Sequence, residues 1–241
     1  MSIVQLPTTT QGRLWRIDLD SAPAPAAAAS LSDDEWARAS RFVFARDRHR
    51  FVAAHAALRG LLSLHTGSPG ALLDFVPGAF GKPALADPAG VHFNLSHSQA
   101  VGLIAISDEA EIGVDVELLR PMPDADDLAR VHFTEAERRA LAALAPARRD
   151  RAFLTCWTRK EACLKAVGTG LGIDTCSFEA GLDEEAREVR IPLESGMARL
   201  SLRSFDGGEG VVCAIARMLE SDAAVEAAAP RPTFQDNESY A

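Results

Sequence analysis

The sequence predicts an α+β fold of two similar halves that meet near residue 110, with a ligand cleft between them. Three observations lead there. Short period-two runs rich in β-branched residues alternate with long stretches whose apolar residues recur every three to four positions, so strands and helices are both expected. The stretch RDRHRFVAAHAALRGLL (46–62) is echoed by RDRAFLTCWTRKEACLK (149–165). Each is followed downstream by an apolar closing strand, GLIAIS (102–107) or VCAIAR (212–217). The expected divisions are an N-terminal half over 1–110, a C-terminal half over 111–221 and a disordered tail over 222–241. An interface between two such halves is a preferred place for a ligand.

In chain order, RLWRIDL (13–19) reads as a first strand and SAPAPAAAAS (21–30) as a low-complexity connector. Ser32, followed by acids, is placed to cap a helix start. A longer helix follows, with Phe51, Ala54, His55, Leu58, Leu61 and Leu62 at helical spacing and Gly67 as its stop. FGKPAL (80–85) falls in a loop, and VHFNLSHS (91–98) leads to a buried strand, AVGLIAIS (100–107).

IGVDVELL (112–119) opens the second half as a strand with Ile112, Val114 and Val116 on one face. Thr134 and Glu137 have capping-box spacing and predict the next helix. The helix carrying WTRKEACLK (157–165) ends at Gly168 or Gly170. CSFEA (176–180) and GVVCAIARM (210–218) read as strands, and the Ala/Glu/Pro/Asn-rich residues from about 222 as the tail.

Composition narrows the function classes. The 241 residues are 47% hydrophobic, enough for a sizeable core. No signal peptide or long apolar run is visible, so a cytoplasmic protein without membrane contact is expected. The four cysteines form no CxxC pair, which fits buried, reduced thiols. A net charge of −9 argues against nucleic acid as partner. Between Trp36 and Gly60, however, six arginines face a single acid, Asp47, a local charge of +5. That segment suits an anion site or a solvated helix face.

The chemistry centres on Asp115 and Glu117. Successive strand side chains alternate between faces, so these two carboxylates project together. A lone D-x-E pair fits a solvated strand face better than a metal half-shell. On the later helix, Trp157, Glu161 and Lys165 lie on one stripe at i, i+4 and i+8, flanked by Lys160. Glu161 and Lys165 alone would be an ordinary exposed pair worth about 0.3–0.5 kcal/mol. Added to the D-x-E strand, they make a third carboxylate and nearby lysines, a set suited to a metal-bound pyrophosphate. Ser96 and His97 are neighbours that would point to opposite strand faces, which makes a poor serine–base pair. Lys82 sits in a Gly/Pro turn whose backbone N–H groups suit a phosphate.

Taken together, RHR (48–50), FGKPAL, FNLSHS (93–98), GVDVE (113–117) and WTRKEACLK resemble the surfactin-synthetase type of 4′-phosphopantetheinyl transferase, over roughly residues 36–178. The resemblance implies that family's pseudo-duplicated fold. It also implies transfer of the phosphopantetheine arm of coenzyme A to a serine of an apo acyl or peptidyl carrier protein, releasing 3′,5′-ADP. On that likeness Asp115, Glu117 and Glu161 hold Mg²⁺ or Mn²⁺, and Lys165 offsets charge at the bridging phosphates. Asp115, Glu161 and Lys165 make up the catalytic set. Arg50, Lys82, Ser96 and His97 bind the 3′-phosphate end of the adenosine, and Phe80, Gly81, Lys82 and Pro83 cradle the adenine. Arg41 and Asn94 complete the coenzyme A contacts. The family's further N-terminal basic residues have no counterpart in SAPAPAAAAS, which leaves Arg41, Arg50 and Arg38 to serve. Either Glu161 or a metal-bound water would take the serine proton. Carrier proteins are acidic around their modified serine, so the arginines at 148, 149 and 151 offer a second basic cluster. The chain is expected to act as a monomer. Two other readings stay open at this point: a Mg²⁺-dependent phosphohydrolase of small esters, and an inactive carrier-binding module.

Overall fold

A computed structural model describes residues 1–7, 11–78, 80–88, 90–194 and 196–221; the expected tail lies outside them. The N-terminal elements are strands β1 (Ile3–Gln5) and β2 (Arg13–Asp18), a helical turn α1 (Pro25–Ala28), helices α2 (Asp33–Ser40) and α3 (Ala45–Thr66), and strands β3 (Phe75–Pro77), β4 (Pro83–Leu85), β5 (His92–Ser98) and β6 (Val101–Ser107). Then come β7 (Ile112–Leu118), α4 (Ala125–His132), α5 (Glu135–Ala142), α6 (Pro146–Val167), β8 (Arg187–Leu193), β9 (Gly196–Phe205) and β10 (Val211–Ser221).

The α+β class is borne out. Two antiparallel four-stranded sheets, ordered β1-β2-β6-β5 and β7-β10-β9-β8, each carry one 22-residue helix, α3 on the first and α6 on the second. β3 and β4 form a separate ribbon.

The local signals act as their chemistry requires. The Ser32 side chain accepts from the Glu35 N–H while Glu35 answers to the Ser32 N–H, and Thr134 and Glu137 repeat this box at α5. Gly67 and Gly168 end α3 and α6 in the left-handed conformation that costs glycine no Cβ clash. Three expectations are corrected. SAPAPAAAAS contains the turn α1, because Pro25 can occupy the first helical position without losing a bonded N–H. CSFEA is not a strand: the Asp174 side chain accepts from the Cys176 N–H and bends Thr175–Ser177 into a 3₁₀ turn. FGKPAL is not a loop throughout: from Pro83 it forms β4, paired with β3. β1, β3, α4, β8 and β9 were not anticipated.

β6 explains why its sequence is apolar throughout. Ile104 and Ile106 face the core under α3, whereas Val101, Leu103 and Ala105 face a second core shared with the other sheet. That shared core also receives Ile112, Val114 and Val116 of β7 and Val211, Cys213 and Ile215 of β10. With its apolar face committed there, β7 turns Gly113, Asp115 and Glu117 towards α6.

Candidate active site

Gly113 decides how the site is assembled. A Cβ at this position would lie 2.2 Å from the Ala162 carbonyl oxygen and 2.3 Å from the Ala166 nitrogen, so the α6 backbone rests directly on the strand. Ala216, paired with Gly113, and Ala214, paired with Asp115, keep the neighbouring floor low. Along α6 the residues at 157, 161 and 165 are only partly buried while those between are nearly all buried, so the expected stripe is real.

This approach brings the Lys165 Nζ to 2.6 Å from Asp115 Oδ1 and 3.0 Å from Ser96 Oγ. Ser96 in turn donates to Asp115 at 2.9 Å. One residue pair further along, Ser98 donates to Glu117 at 3.0 Å and Arg120 donates to the same oxygen at 2.8 Å. One pair back, Asn94 accepts from the Val114 N–H at 2.9 Å. Asn94, Ser96 and Ser98 are thus alternate residues of β5 that join its edge to β7 through side chains.

Burial pushes the Asp115 carboxyl above its ordinary range, with Lys165 and Ser96 pulling the other way. Glu161 is also raised, first by burial and then by Asp115, with Lys165 opposing and Glu117 adding to it. The three expected carboxylates are therefore within electrostatic reach of one another. Among the described residues, no three such groups converge at ligating distance; Asp115 is engaged by Lys165, and Glu117 by Arg120 and Ser98. The donor chemistry nonetheless fits a hard divalent cation, which takes carboxylate oxygens and would relieve their mutual repulsion.

On the opposite side of β5, His97 keeps one face open to solvent, and its pKa is lowered, first by the protein groups crowded around its ring and then by Lys165, His55, Arg38 and Arg50. Those neighbours mark a positive region beside the carboxylates. Its arginines are unevenly available. Arg50 is held in a two-point contact with Asp20 at 2.6 and 3.0 Å, and Arg38 lies over the Phe51 ring at 5.4 Å. Arg59 is buried against Glu35, and Arg46 pairs with Asp47. Arg41 is exposed at the C-terminal end of α2. The +5 segment is thus partly spent on internal partners.

Pro83 opens β4 directly after the FGKP turn, in which Gly81 has φ +84°. Lys82 donates to Glu111 at 2.5 Å and to the Ile112 carbonyl at 2.9 Å instead of pointing into open space. Phe80 reaches across to Gly170 and Gly172 beyond α6. Lys160 is not part of the site. It is 1% exposed, paired with Glu137 at 2.9 Å, and donates to the Thr175 and Phe178 carbonyls. Of the second basic cluster, Arg149 pairs with Asp126 and Arg151 with Glu184. The partners that sequence reasoning missed are Ser98, Arg120, Asp20 and Glu111. Ser98 continues the period of two from Asn94 and Ser96, so the alternation could have exposed it.

A scaffold of two helix-backed sheets that presents buried carboxylates and a lysine at their seam defines a class of enzyme, and comparison with known proteins says which. Residues 111–216 match the 4′-phosphopantetheinyl transferase superfamily. The chain is 41% identical over 163 residues to the 4′-phosphopantetheinyl transferase HetI of a Nostoc species, covering 66% of this chain and 69% of that one. It is 29% identical over 181 residues to a 4′-phosphopantetheinyl transferase of Bacillus subtilis, covering 75% and 79%. A putative 4′-phosphopantetheinyl transferase of a Synechocystis species is 37% identical over 163 residues, covering 67% and 66%. This chain belongs to the 4′-phosphopantetheinyl transferase superfamily, and it is a transferase. Among the described residues no helix is long and apolar enough to cross a membrane.

Proposed function

We propose that this enzyme moves the phosphopantetheine arm of coenzyme A to a serine of an apo acyl or peptidyl carrier protein, in the manner of the surfactin-synthetase type. The observation that carries this reading is the meeting of Glu161 and Lys165 of α6 with Asp115 and Glu117 of β7 across the Gly113 contact.

In this reading the serine oxygen forms a bond to the phosphorus that bears the pantetheine arm. The bond from that phosphorus to the bridging oxygen breaks, and 3′,5′-ADP leaves with the electron pair. Glu161 takes the serine proton. Lys165, oriented by Ser96 and Asp115, places its positive charge beside the pyrophosphate. Asp115, Glu117 and Glu161 would hold Mg²⁺ or Mn²⁺. A divalent cation bound there supplies charge neutralisation at the phosphates.

The two halves divide this work. Residues 1–110 supply His97, Arg38, Arg41 and Arg50 for the 3′-phosphate and the FGKP turn for the adenine. Residues 111–221 supply the carboxylates and Lys165. Asn94 acts by holding β5 to β7. Incubation with coenzyme A, Mg²⁺ and a panel of apo carrier proteins tests the reading. The expected result is a carrier heavier by one phosphopantetheine arm, and none in excess EDTA. Release of phosphate without any carrier modification would point instead to a phosphohydrolase.

A further inference from the structure

We propose that Glu111 is a positioning residue for coenzyme A: through Lys82 it anchors the FGKP turn to the start of β7, and so sets the adenine's place relative to Lys165. The inference rests on the coenzyme A reading above.

The geometry is a three-way joint. The Lys82 ammonium donates to Glu111 Oε2 at 2.5 Å and to the Ile112 carbonyl at 2.9 Å, and the Lys82 side chain is 15% exposed. The other Glu111 oxygen lies 3.0 Å from His92 Nδ1 on β5. One carboxylate thereby ties the turn to the edge strand of the first sheet and to the edge strand of the second. The turn closes on itself where the Gly78 N–H donates to the Lys82 carbonyl at 2.8 Å.

The turn is seated from its other side as well. A Cβ on Gly172 would come 3.3 Å from the Phe80 ring, one on Gly170 3.7 Å from Phe80 Cβ, and one on Gly168 3.8 Å from Lys82 Cδ. These glycines directly follow the last turn of α6, which carries Lys165. The joint therefore fixes the path between the FGKP turn and the lysine beside Asp115. A lysine with two of its three N–H donors committed and its stem covered serves by holding backbone in place. To reach a phosphate it would have to abandon the buried Ile112 carbonyl and the half-exposed Glu111 carboxylate together.

The test is steady-state kinetics of arm transfer by wild type, Glu111→Gln, Lys82→Met and the double variant, using coenzyme A and an analogue lacking the adenine ring. Melting by circular dichroism runs in parallel. Each single variant is expected to raise KM for coenzyme A roughly tenfold while kcat stays within about threefold. The double variant should be no worse than either single one, since both remove the same tether. With the analogue, all four proteins should share one KM. A raised KM in Lys82→Met alone would overturn the proposal and place Lys82 on a phosphate. Equal losses with both donors, or losses confined to kcat, would overturn it in favour of a general structural role. A wild type that transfers no arm would remove the coenzyme A reading itself, and the proposal with it.

Discussion

Glu161 shows how a residue's surroundings separate two readings that its sequence neighbours leave together. Four positions before Lys165, it looks like one half of an exposed helix pair. In the fold Lys165 gives its ammonium to Asp115 and Ser96, and among the described residues no hydrogen bond or ion pair holds Glu161. Its carboxyl is instead raised by burial and by Asp115 and Glu117. Replacing it by glutamine removes a repulsive charge and no ion pair, so Glu161→Gln should melt at or slightly above the wild-type temperature. If Glu161 is the base, kcat should nonetheless fall roughly 10²-fold or more. A variant that turns over like wild type, with coenzyme A binding unchanged, would remove Glu161 from the chemistry.

At the scale of elements, the seat of α6 on β7 is the decisive contact. Its requirement for a residue without a side chain at 113 can be tested. A methyl group there meets backbone atoms rather than a flexible side-chain end, so helix and strand must move apart. Gly113→Ala should cost about 1–3 kcal/mol in urea unfolding and should depress transfer by more than the unfolded fraction explains, because Lys165 leaves Asp115. An unchanged midpoint would mean that α6 is not held by this contact. Elements with strong local chemistry were legible in the sequence: α2 and α5 through their capping boxes, α3 and α6 through their stop glycines, β6 and β7 through their patterns. β8 and β9 were also within reach, since RIPL and MARLSLRSF alternate buried with more open positions, but charged residues on the outer face mask that alternation. CSFEA misled because Phe178 counted for more than the Asp174 turn just before it.

For the whole molecule, acid stability follows from a buried joint between α2 and α3. Glu35 on α2 accepts from Arg59 at 2.6 Å and contacts His55 at 2.7 Å, both on α3, while Arg59 reaches the Gly70 and Leu73 carbonyls. Burial alone would raise the Glu35 carboxyl, but His55, the Ser32 N–H and Arg59 outweigh it and bring it down to about 2 from 4.5. A carboxylate lowered on folding stabilises the native state above its unfolded pKa, and that contribution is lost as pH falls through the folded value. Wild type should therefore exceed Glu35→Gln by on the order of 2–3 kcal/mol at pH 7. The gap should narrow below about pH 4.5 and close towards pH 2. Denaturant titrations across that range check this, and a gap independent of pH would show that the Glu35 charge contributes nothing.

The sequence by itself determined the α+β class, the long helices and their ends, the shared face of Asp115 and Glu117, and the stripe of Trp157, Glu161 and Lys165. Each of these is set by neighbours a few residues apart, through periods of 2.0 and 3.6 or a cap. The tertiary structure alone decided what the charges do. Lys160 and Lys165 are five residues apart on one helix, yet one is buried against Glu137 and the other meets Asp115. Arg50 is met by Asp20, thirty residues away, and Lys82 by Glu111, twenty-nine away. A lysine or arginine carries the same charge wherever it stands in the chain. Its partner depends on which strands and turns packing brings within about 3 Å, a distance over which hydrogen bonds form and which no local pattern encodes.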